Sequence, residues 1–474
     1  MRGMMLRKLT FGLGAFLSIT SMISMMSAVS PVEGAEFRVG VARVEITPPP
    51  ALPMYGYMSR THLSTGTLDP LYARVLVLEA GGQRLALVTL DLGRTFGQAW
   101  LDRLAETTRK SSGISCMFVT ASHTHAGPNI LDEYPAGNTP SWEGAALDKI
   151  AKAIDDATSH AVEAKVGAGH GRVYVGYNRR QVKPDGTATM LWQNPDKLPT
   201  SPLDPTVSIL RFDSVNGEPL AVLVNYACHP VVFGPDNFEY SADFVGVMAK
   251  TVEQSMGASL SSRLLCFFLQ GGDGDINPYY ATTPLTQDAI GKRDWTGEQL
   301  GQEASRVARE IHTEAPAHPS LQFARDVLSI GVRWNPERFR QGLLDTLGPR
   351  VFEDHAELLK DEPVKKVLPM AVTTVLINRT IAVVGLPGEP FVDLQINCRD
   401  RCPTRYAFLV GYTNGYYDYF PTIRAAAEGG YGAGDSDTYV EVGAGERMID
   451  HALIRIYEML GRLSDAPEEL KKPD

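Results

Sequence analysis

Cys116-Met117-Phe118-Val119-Thr120-Ala121-Ser122-His123-Thr124-His125-Ala126-Gly127-Pro128-Asn129 is an apolar run that carries two imidazoles, at i and i+2, straight into a Gly-Pro-Asn turn. Side chains alternate along a strand, so this spacing sends both rings from one face at the strand's end. A helix would send them to different sides. Paired histidines so placed suit a metal or a proton-transfer site. They also suit a structural pair in a tight loop, and the stretch alone leaves both readings open. Polar groups that recur at the ends of later apolar segments favour the first.

Working outward, Leu71 to Glu79 and Leu85 to Leu90 read as strands joined by the hairpin signal Ala80-Gly81-Gly82-Gln83. Gln98 to Lys110 has helical spacing and leads into the strand that ends at His123. Strand, helix, strand in this order predicts a βαβ-like layer arrangement, with functional groups beyond the C-terminal strand ends. Upstream, Phe37 to Ile46 alternates as a strand and is stopped by Pro48-Pro49-Pro50, which cannot donate to a ladder. Met54-Tyr55-Gly56-Tyr57-Met58 reads either as a pocket wall or as a loop packed over the core.

Downstream, a helix is expected over Trp142 to Ala164, then a strand over Gly169 to Tyr177 with Asn178-Arg179-Arg180 at its exit, and a surface loop over Thr187 to Leu198. Val207 to Phe212 and Leu220 to Ala227 form a second hairpin that ends at His229-Pro230, where the proline keeps the histidine's backbone extended. Ser241-Ala242-Asp243-Phe244 starts a helix. The strand Leu264 to Leu269 opens into a glycine-rich turn carrying Asp273 and Asp275. These carboxylates read either as a second divalent-cation site, although not of EF-hand type, or as groups fixing the turn through backbone hydrogen bonds. Thr282 to Glu298 reads as polar loop followed by a helix to Ile311, and Phe323 to Val367 as a peripheral lobe with a helix through Asp354 to Lys360. Strands return at Val367 to Leu376 and Thr380 to Gly385, which delivers Glu389, and at Tyr406 to Val410, which opens into an aromatic stretch. Gly429 to Gly434 carries one large side chain, Tyr431, before a final helix over Gly443 to Arg462. The fold class is therefore α/β, a mixed β-sheet core with flanking helices and the site at strand ends.

Composition narrows the function classes. With 474 residues, 44% hydrophobic and 21% charged, the chain is neither disordered nor a multi-pass membrane protein. A net charge of -10 and no basic stripe argue against a nucleic-acid partner. Arg2, Arg7 and Lys8 precede an apolar run from Leu9 to Val29 and small residues at Gly34-Ala35, the pattern of an export signal over residues 1–35. An uncleaved anchor is the alternative. The expected protein is exported, periplasmic or secreted, with one domain over 36–464 and a charged, mobile tail over 465–474. Cys116, Cys228 and Cys266 lie in apolar runs, whereas Cys398 and Cys402 are spaced for one local disulfide.

The polar residues at apolar strand ends are His123 and His125, His229, Asp273, Glu389 and the tyrosine cluster, and two histidines with a glutamate from among them would form a sufficient shell for catalytic zinc with one open position. No compact zinc signature such as His-Glu-x-x-His occurs. The order of motifs adds more. Val44-Glu45-Ile46-Thr47-Pro48, Asp69-Pro70-Leu71-Tyr72-Ala73-Arg74, Ser122-His123-Thr124-His125-Ala126-Gly127-Pro128, Asn178-Arg179, His229-Pro230, Gly274-Asp275-Ile276-Asn277-Pro278, Pro387-Gly388-Glu389 and Asn414-Gly415-Tyr416-Tyr417-Asp418-Tyr419 resemble the catalytic domain of the neutral/alkaline non-lysosomal ceramidases.

That resemblance implies zinc held by His123, His229, Glu389 and a tyrosine, with Tyr419 the better match and Tyr416 the fallback. It implies His125 as a proton-transfer group, and Arg179 and Tyr431 as hydrogen-bond donors to the scissile carbonyl. The reaction it implies is attack of zinc-activated water on the amide of an N-acyl sphingosine or another N-acylated substrate, a lipid or small molecule, with transient contact to a membrane surface. The chain departs from the family pattern where Asn277 stands for a pocket serine and Tyr431-Gly432 for Tyr-Glu. It is also expected to lack the family's C-terminal β-sandwich domain. A metal-dependent esterase for another small substrate, or a non-catalytic exported lipid- or carbohydrate-binding protein on the same fold, are the alternatives.

Overall fold

A computed structural model describes residues 36–132, 142–257, 264–333, 367–434 and 438–463. The export signal, the helix through Asp354 to Lys360 and the tail lie outside the described residues. Two sheets stack face to face, with helices on both outer surfaces. The larger runs Leu265–Gln270, Pro219–Tyr226, Thr206–Ser214, Val162–Arg172, Arg38–Glu45, Tyr72–Ala80, Gln83–Leu90, Cys116–Ala121. The smaller runs Leu321–Gly331, Val367–Ile377, Ile381–Gly385, Tyr406–Val410.

Strand alternation sorts the core into layers. Val75 and Val77 lie under helices Gln98–Ser112 and Trp142–Ser159, while Leu76 and Leu78 face the smaller sheet. Val222 and Val224 likewise meet helices Phe244–Ser255 and Ala289–Glu310, while Ala221 and Leu223 turn inward. Helices Val392–Arg401 and Ala444–Met459 cover the far face of the smaller sheet. Strands buried on both faces are apolar almost continuously, which explains runs such as Val75-Leu76-Val77-Leu78.

Both sheets are mixed, and their parallel pairs decide where the site lies. Parallel neighbours need a crossover. Gln83–Leu90 and Cys116–Ala121 are joined through helix Gln98–Ser112, Pro219–Tyr226 and Leu265–Gln270 through Phe244–Ser255, and Ile381–Gly385 and Tyr406–Val410 through Val392–Arg401. The expected strand-helix-strand unit at His123 is therefore present, and it occurs three times among the described residues. Helix Phe244–Ser255 starts within the expected stretch, with Asp243 as its cap and not in its first turn, accepting from the Phe244 N–H.

Several boundaries differ from the expected ones. The helix beginning at Trp142 ends at Ser159, and Val162–Arg172 is already a strand, paired with Thr206–Ser214 over nine residues. Its glycines had hidden it. A Cβ at Gly167, Gly169 or Gly171 would press on His312 O, Ile311 or Glu303, so the small residues let the following helix lie close. That helix, Ala289–Glu310, begins within the expected loop because the Asp288 carboxylate caps it at Gly291 N. Leu321–Gly331 belongs to the smaller sheet and not to a peripheral lobe, pairing with Val367–Ile377 along eleven residues. All five cysteines are free thiols, and the Cys398–Cys402 disulfide does not form. Cys398 packs in the core beneath the smaller sheet, while the Cys402 thiol meets Thr404 Oγ1 at 3.2 Å. Among the described residues, no helix is long and apolar enough to cross a membrane.

Candidate metal centre

The three crossovers bring their strand ends to one place. His123 leaves strand Cys116–Ala121 in the left-handed region, φ 69°, with its N–H bonded to Leu92 O at 2.9 Å. His229 follows strand Pro219–Tyr226, its N–H bonded to Ile276 O at 3.0 Å. Glu389 follows Ile381–Gly385 and opens a two-residue strand paired in parallel with Tyr419–Phe420, Glu389 opposite Tyr419. Partners in register carry their side chains to the same face, so this pairing sets Tyr419 beside Glu389.

His123, His229 and Glu389 are each about 1% exposed. His123 Nδ1 donates to Gly93 O at 2.7 Å, and His229 Nδ1 to Asp273 O at 2.6 Å. Both bonds assign the proton to Nδ1, which leaves each Nε2 with a bare lone pair. Those lone pairs face one carboxylate, with His229 Nε2 at 3.2 Å from Glu389 Oε2 and His123 Nε2 at 3.5 Å from Oε1. Three acceptors converging in a buried space need a cation or a shared proton between them. The donor set, neutral imidazole nitrogen and carboxylate oxygen, is chemically that of a divalent zinc-type site. The ring nitrogens of His123, His125 and His229 also lie within 4.8 Å of one another, a cluster capable of coordinating a metal ion.

His125 sits against this cluster, its Nε2 3.2 Å from His123 Nε2. Its Nδ1 is buried without a hydrogen-bond partner. The segment Met54 to Met58 folds over the two rings, with Tyr55 edge-on to both at 5.6 Å and Tyr57 edge-on to His125 at 5.0 Å. Of its two expected readings, the structure supports the wall. Gly56 is required there, with φ +101° and a Cβ that would fall 2.3 Å from the His125 ring.

On the other side Arg179 is buried and donates from Nη2 to Gly274 O at 2.7 Å and to the Tyr419 hydroxyl at 3.2 Å, and from Nη1 to Asn277 Oδ1 at 3.3 Å. The Tyr431 hydroxyl lies 3.5 Å from that of Tyr419, and its ring is 5.1 Å below the guanidinium. Asn277 therefore holds Arg179 from behind. Arg180, its neighbour in sequence, turns away to Gly429 O, Ala425 O and Glu428. The Tyr416 hydroxyl donates to Glu389 Oε1 at 2.6 Å, so it braces the carboxylate.

Electrostatics follow from burial. Burial pushes His123 down to about 4 and His125 well below the ordinary imidazole range, so both rings are neutral near pH 7. Burial raises Glu389, but its interactions with His123, His229 and the Tyr416 hydroxyl outweigh this and hold it low, near 2. Burial and then the nearby Glu389 charge push the Tyr419 phenol well above its usual range.

The two aspartates of the glycine turn are both engaged by donors of the protein. Asp275 accepts from Asn178 Nδ2 at 2.7 Å and Val392 N at 2.8 Å, which fixes the turn. Asp273 accepts from the Tyr412 hydroxyl at 2.9 Å and faces His229 Nδ1 at 3.4 Å, so it supports a histidine. Among the described residues neither joins a cluster of three metal-binding side chains. Tyr412, stacked on His123 at 4.2 Å, was not singled out by sequence because it is one of four tyrosines that stand with a phenylalanine in the same stretch, with no spacing to separate them. Trp192, edge-on to Tyr431 at 5.3 Å, emerges from the stretch that reads as surface loop.

Residues 37–316 of the 474 match the family described as neutral/alkaline non-lysosomal ceramidase, N-terminal. A neutral ceramidase of Mycobacterium tuberculosis is 26% identical over 265 residues, 51% of this chain and 40% of that protein. One of Drosophila pseudoobscura pseudoobscura is 23% identical over 282 residues, 56% and 38% of the respective chains. The matched stretch thus spans about two fifths of the length of these curated relatives. The crystal structure of neutral ceramidase from Pseudomonas aeruginosa superposes with a TM-score of 0.70 at 20% identity, covering 93% of this chain and 77% of that one. A ceramidase complexed with C2 gives 0.69 at 18%, covering 92% and 77%. At these identities the structural likeness speaks for the fold. The family match spans more than half of the chain, and with the shared fold it shows that this protein belongs, as a divergent member, to the neutral/alkaline non-lysosomal ceramidase family.

Proposed function

We propose that the protein is a zinc-dependent hydrolase that cleaves the amide of an N-acylated substrate, with His123, His229, Glu389 and Tyr419 as the metal's ligands. One observation carries the proposal: two buried imidazoles, each with Nδ1 tied to a backbone carbonyl, turn bare Nε2 lone pairs toward one carboxylate. Zinc, when bound, supplies Lewis acidity that lowers the pKa of a water and polarises a carbonyl. His125, neutral and adjacent, takes the proton from the attacking water and returns it to the leaving nitrogen. Arg179 and the Tyr431 hydroxyl donate to the carbonyl oxygen as negative charge develops there. Asn277 steadies Arg179, and Tyr416 steadies Glu389. The hydroxyl of Tyr416 is committed to Glu389, which supports Tyr419 as the ligand.

The family relatives are named ceramidases, so N-acyl sphingosine is the first substrate to try, reached by transient contact with a lipid surface. The N-terminal charge and apolar pattern support export to the periplasm or outside the cell, with the hydrolase domain over 36–464. A second ligand set, with His125 in place of Glu389, is favoured by the three ring nitrogens within 4.8 Å of one another. The test is zinc content and turnover, measured together on wild type and His229→Ala with N-acyl sphingosines, short-chain amides and esters. One zinc per chain and turnover that both vanish in the variant would support the hydrolase. Zinc without turnover on any substrate would favour a binding protein, and a zinc-free wild type would sink the proposal.

A further inference from the structure

Arg60 is a charged side chain to which the chemistry above gives no part. Its Nη1 donates to Tyr55 O at 2.9 Å and to His125 O at 2.8 Å, and its Nη2 to Gly234 O at 3.3 Å. These acceptors belong to three separate segments: the wall over the histidines, the stretch carrying His125, and the loop that follows His229. All three are backbone carbonyls, and the buried Nε has no partner. The guanidinium also lies 4.9 Å over the Tyr57 ring, which is itself edge-on to His125 and anchored by its hydroxyl to Phe233 O at 2.7 Å.

A guanidinium offers five donors in a rigid planar fork, so it can fix three carbonyls at once where a lysine offers a single point charge. Few other groups position the His125 ring. Its Nδ1 is orphaned, its backbone N–H bond to Pro230 O is 3.3 Å, and its Nε2 meets only His123. Packing of Tyr55, Gly56 and Tyr57 therefore sets the ring's orientation, and Arg60 ties that packing to the His125 backbone. We infer that Arg60 is a positioning residue for the hydrolysis: it clamps the Tyr55-Gly56-Tyr57 wall onto His125 and so fixes this ring in the orientation for proton transfer. The inference rests on the hydrolase reading and on the role of His125 in it.

The test compares wild type, Arg60→Ala and Arg60→Lys, all zinc-loaded, using whichever N-acyl substrate the wild type turns over. Zinc content, kcat, KM and amide hydrogen exchange over residues 52–62 are measured, with and without added guanidinium. A ring displaced by about 1 Å costs on the order of a hundredfold in rate. The expected result for Arg60→Ala is a kcat lower by about that factor, with KM within about threefold, one zinc retained, faster exchange over 52–62, and partial rescue by guanidinium. Arg60→Lys, which keeps the charge and loses the fork, should fall between, and it serves if the alanine variant does not fold. The inference is overturned if the wall loosens while kcat stays within about twofold, or if lost turnover tracks lost zinc. A wild type without turnover on any substrate removes the hydrolase reading itself, and the role of Arg60 with it.

Discussion

The two tyrosines nearest Glu389 offer a quantitative test of the ligand assignment. Tyr416 donates to Glu389 Oε1 at 2.6 Å in a setting where the carboxylate is about 1% exposed. A hydrogen bond to a charged acceptor contributes about 1.5–3 kcal/mol, and its loss leaves a buried carboxylate short of a donor. At about 1.4 kcal/mol per factor of ten, Tyr416→Phe should weaken zinc binding by roughly 10- to 100-fold, the range found for groups that brace a ligand. Tyr419→Phe removes a proposed ligand and also the hydroxyl that receives the Arg179 Nη2 bond at 3.2 Å. Its loss should therefore exceed that of Tyr416→Phe and extend to kcat. Competition with a chromophoric chelator reads both affinities on the same scale, and thermal melts of the metal-free proteins separate lost affinity from lost folding. If Tyr416→Phe binds zinc within about twofold of wild type, the bracing argument is wrong. If it loses more than Tyr419→Phe, the two roles are reversed.

Three further outcomes are expected. His125→Ala should keep one zinc per chain while losing turnover; loss of zinc instead would install His125 in the ligand set. Gly432 has φ +73°, and a Cβ there would come 3.1 Å from the Tyr419 ring, so Gly432→Ala should cost about 1–2 kcal/mol in chemical denaturation and weaken zinc binding as well. Unchanged zinc affinity in a destabilised Gly432→Ala would mean the ring tolerates the push. Asp204 is buried, which raises its pKa, but bonds from Thr206, Gln395 and Arg399 outweigh this and hold it below the usual carboxylate range. A carboxylate with a depressed pKa stabilises the fold above its unfolded value, about 4, and the benefit is lost as pH falls through the folded value. Wild type should therefore exceed Asp204→Asn in stability at neutral pH, with the gap closing below about pH 4. A gap that widens on acidification would contradict the sign.

The class of fold was legible in the amino-acid sequence, as were the polar residues that end its buried strands. Alternation and helical spacing are local properties of a few consecutive residues, so strands such as Gln83–Leu90 and Tyr406–Val410, and the crossover through Gln98–Ser112, were legible without any tertiary information. So was the habit of apolar strands ending in His123, His229 and Glu389, because a polar residue at the end of a buried run is visible in one dimension. Tertiary structure decided everything that depends on which distant segments meet. The pairing of Glu389 with Tyr419 sets that ring beside the carboxylate, and the Tyr416 hydroxyl bonds to the same carboxylate. Asp273 and Asp275, equivalent in the sequence, part company because one meets Tyr412 and the other Asn178 and Val392. Strand Val162–Arg172 was obscured because its glycines are dictated by a helix more than a hundred residues away, and Arg60 because the three carbonyls it joins lie up to 174 residues from it. Propensity and periodicity carry no record of such partners. Packing and hydrogen bonding across the strand ends supply them only once the chain has closed.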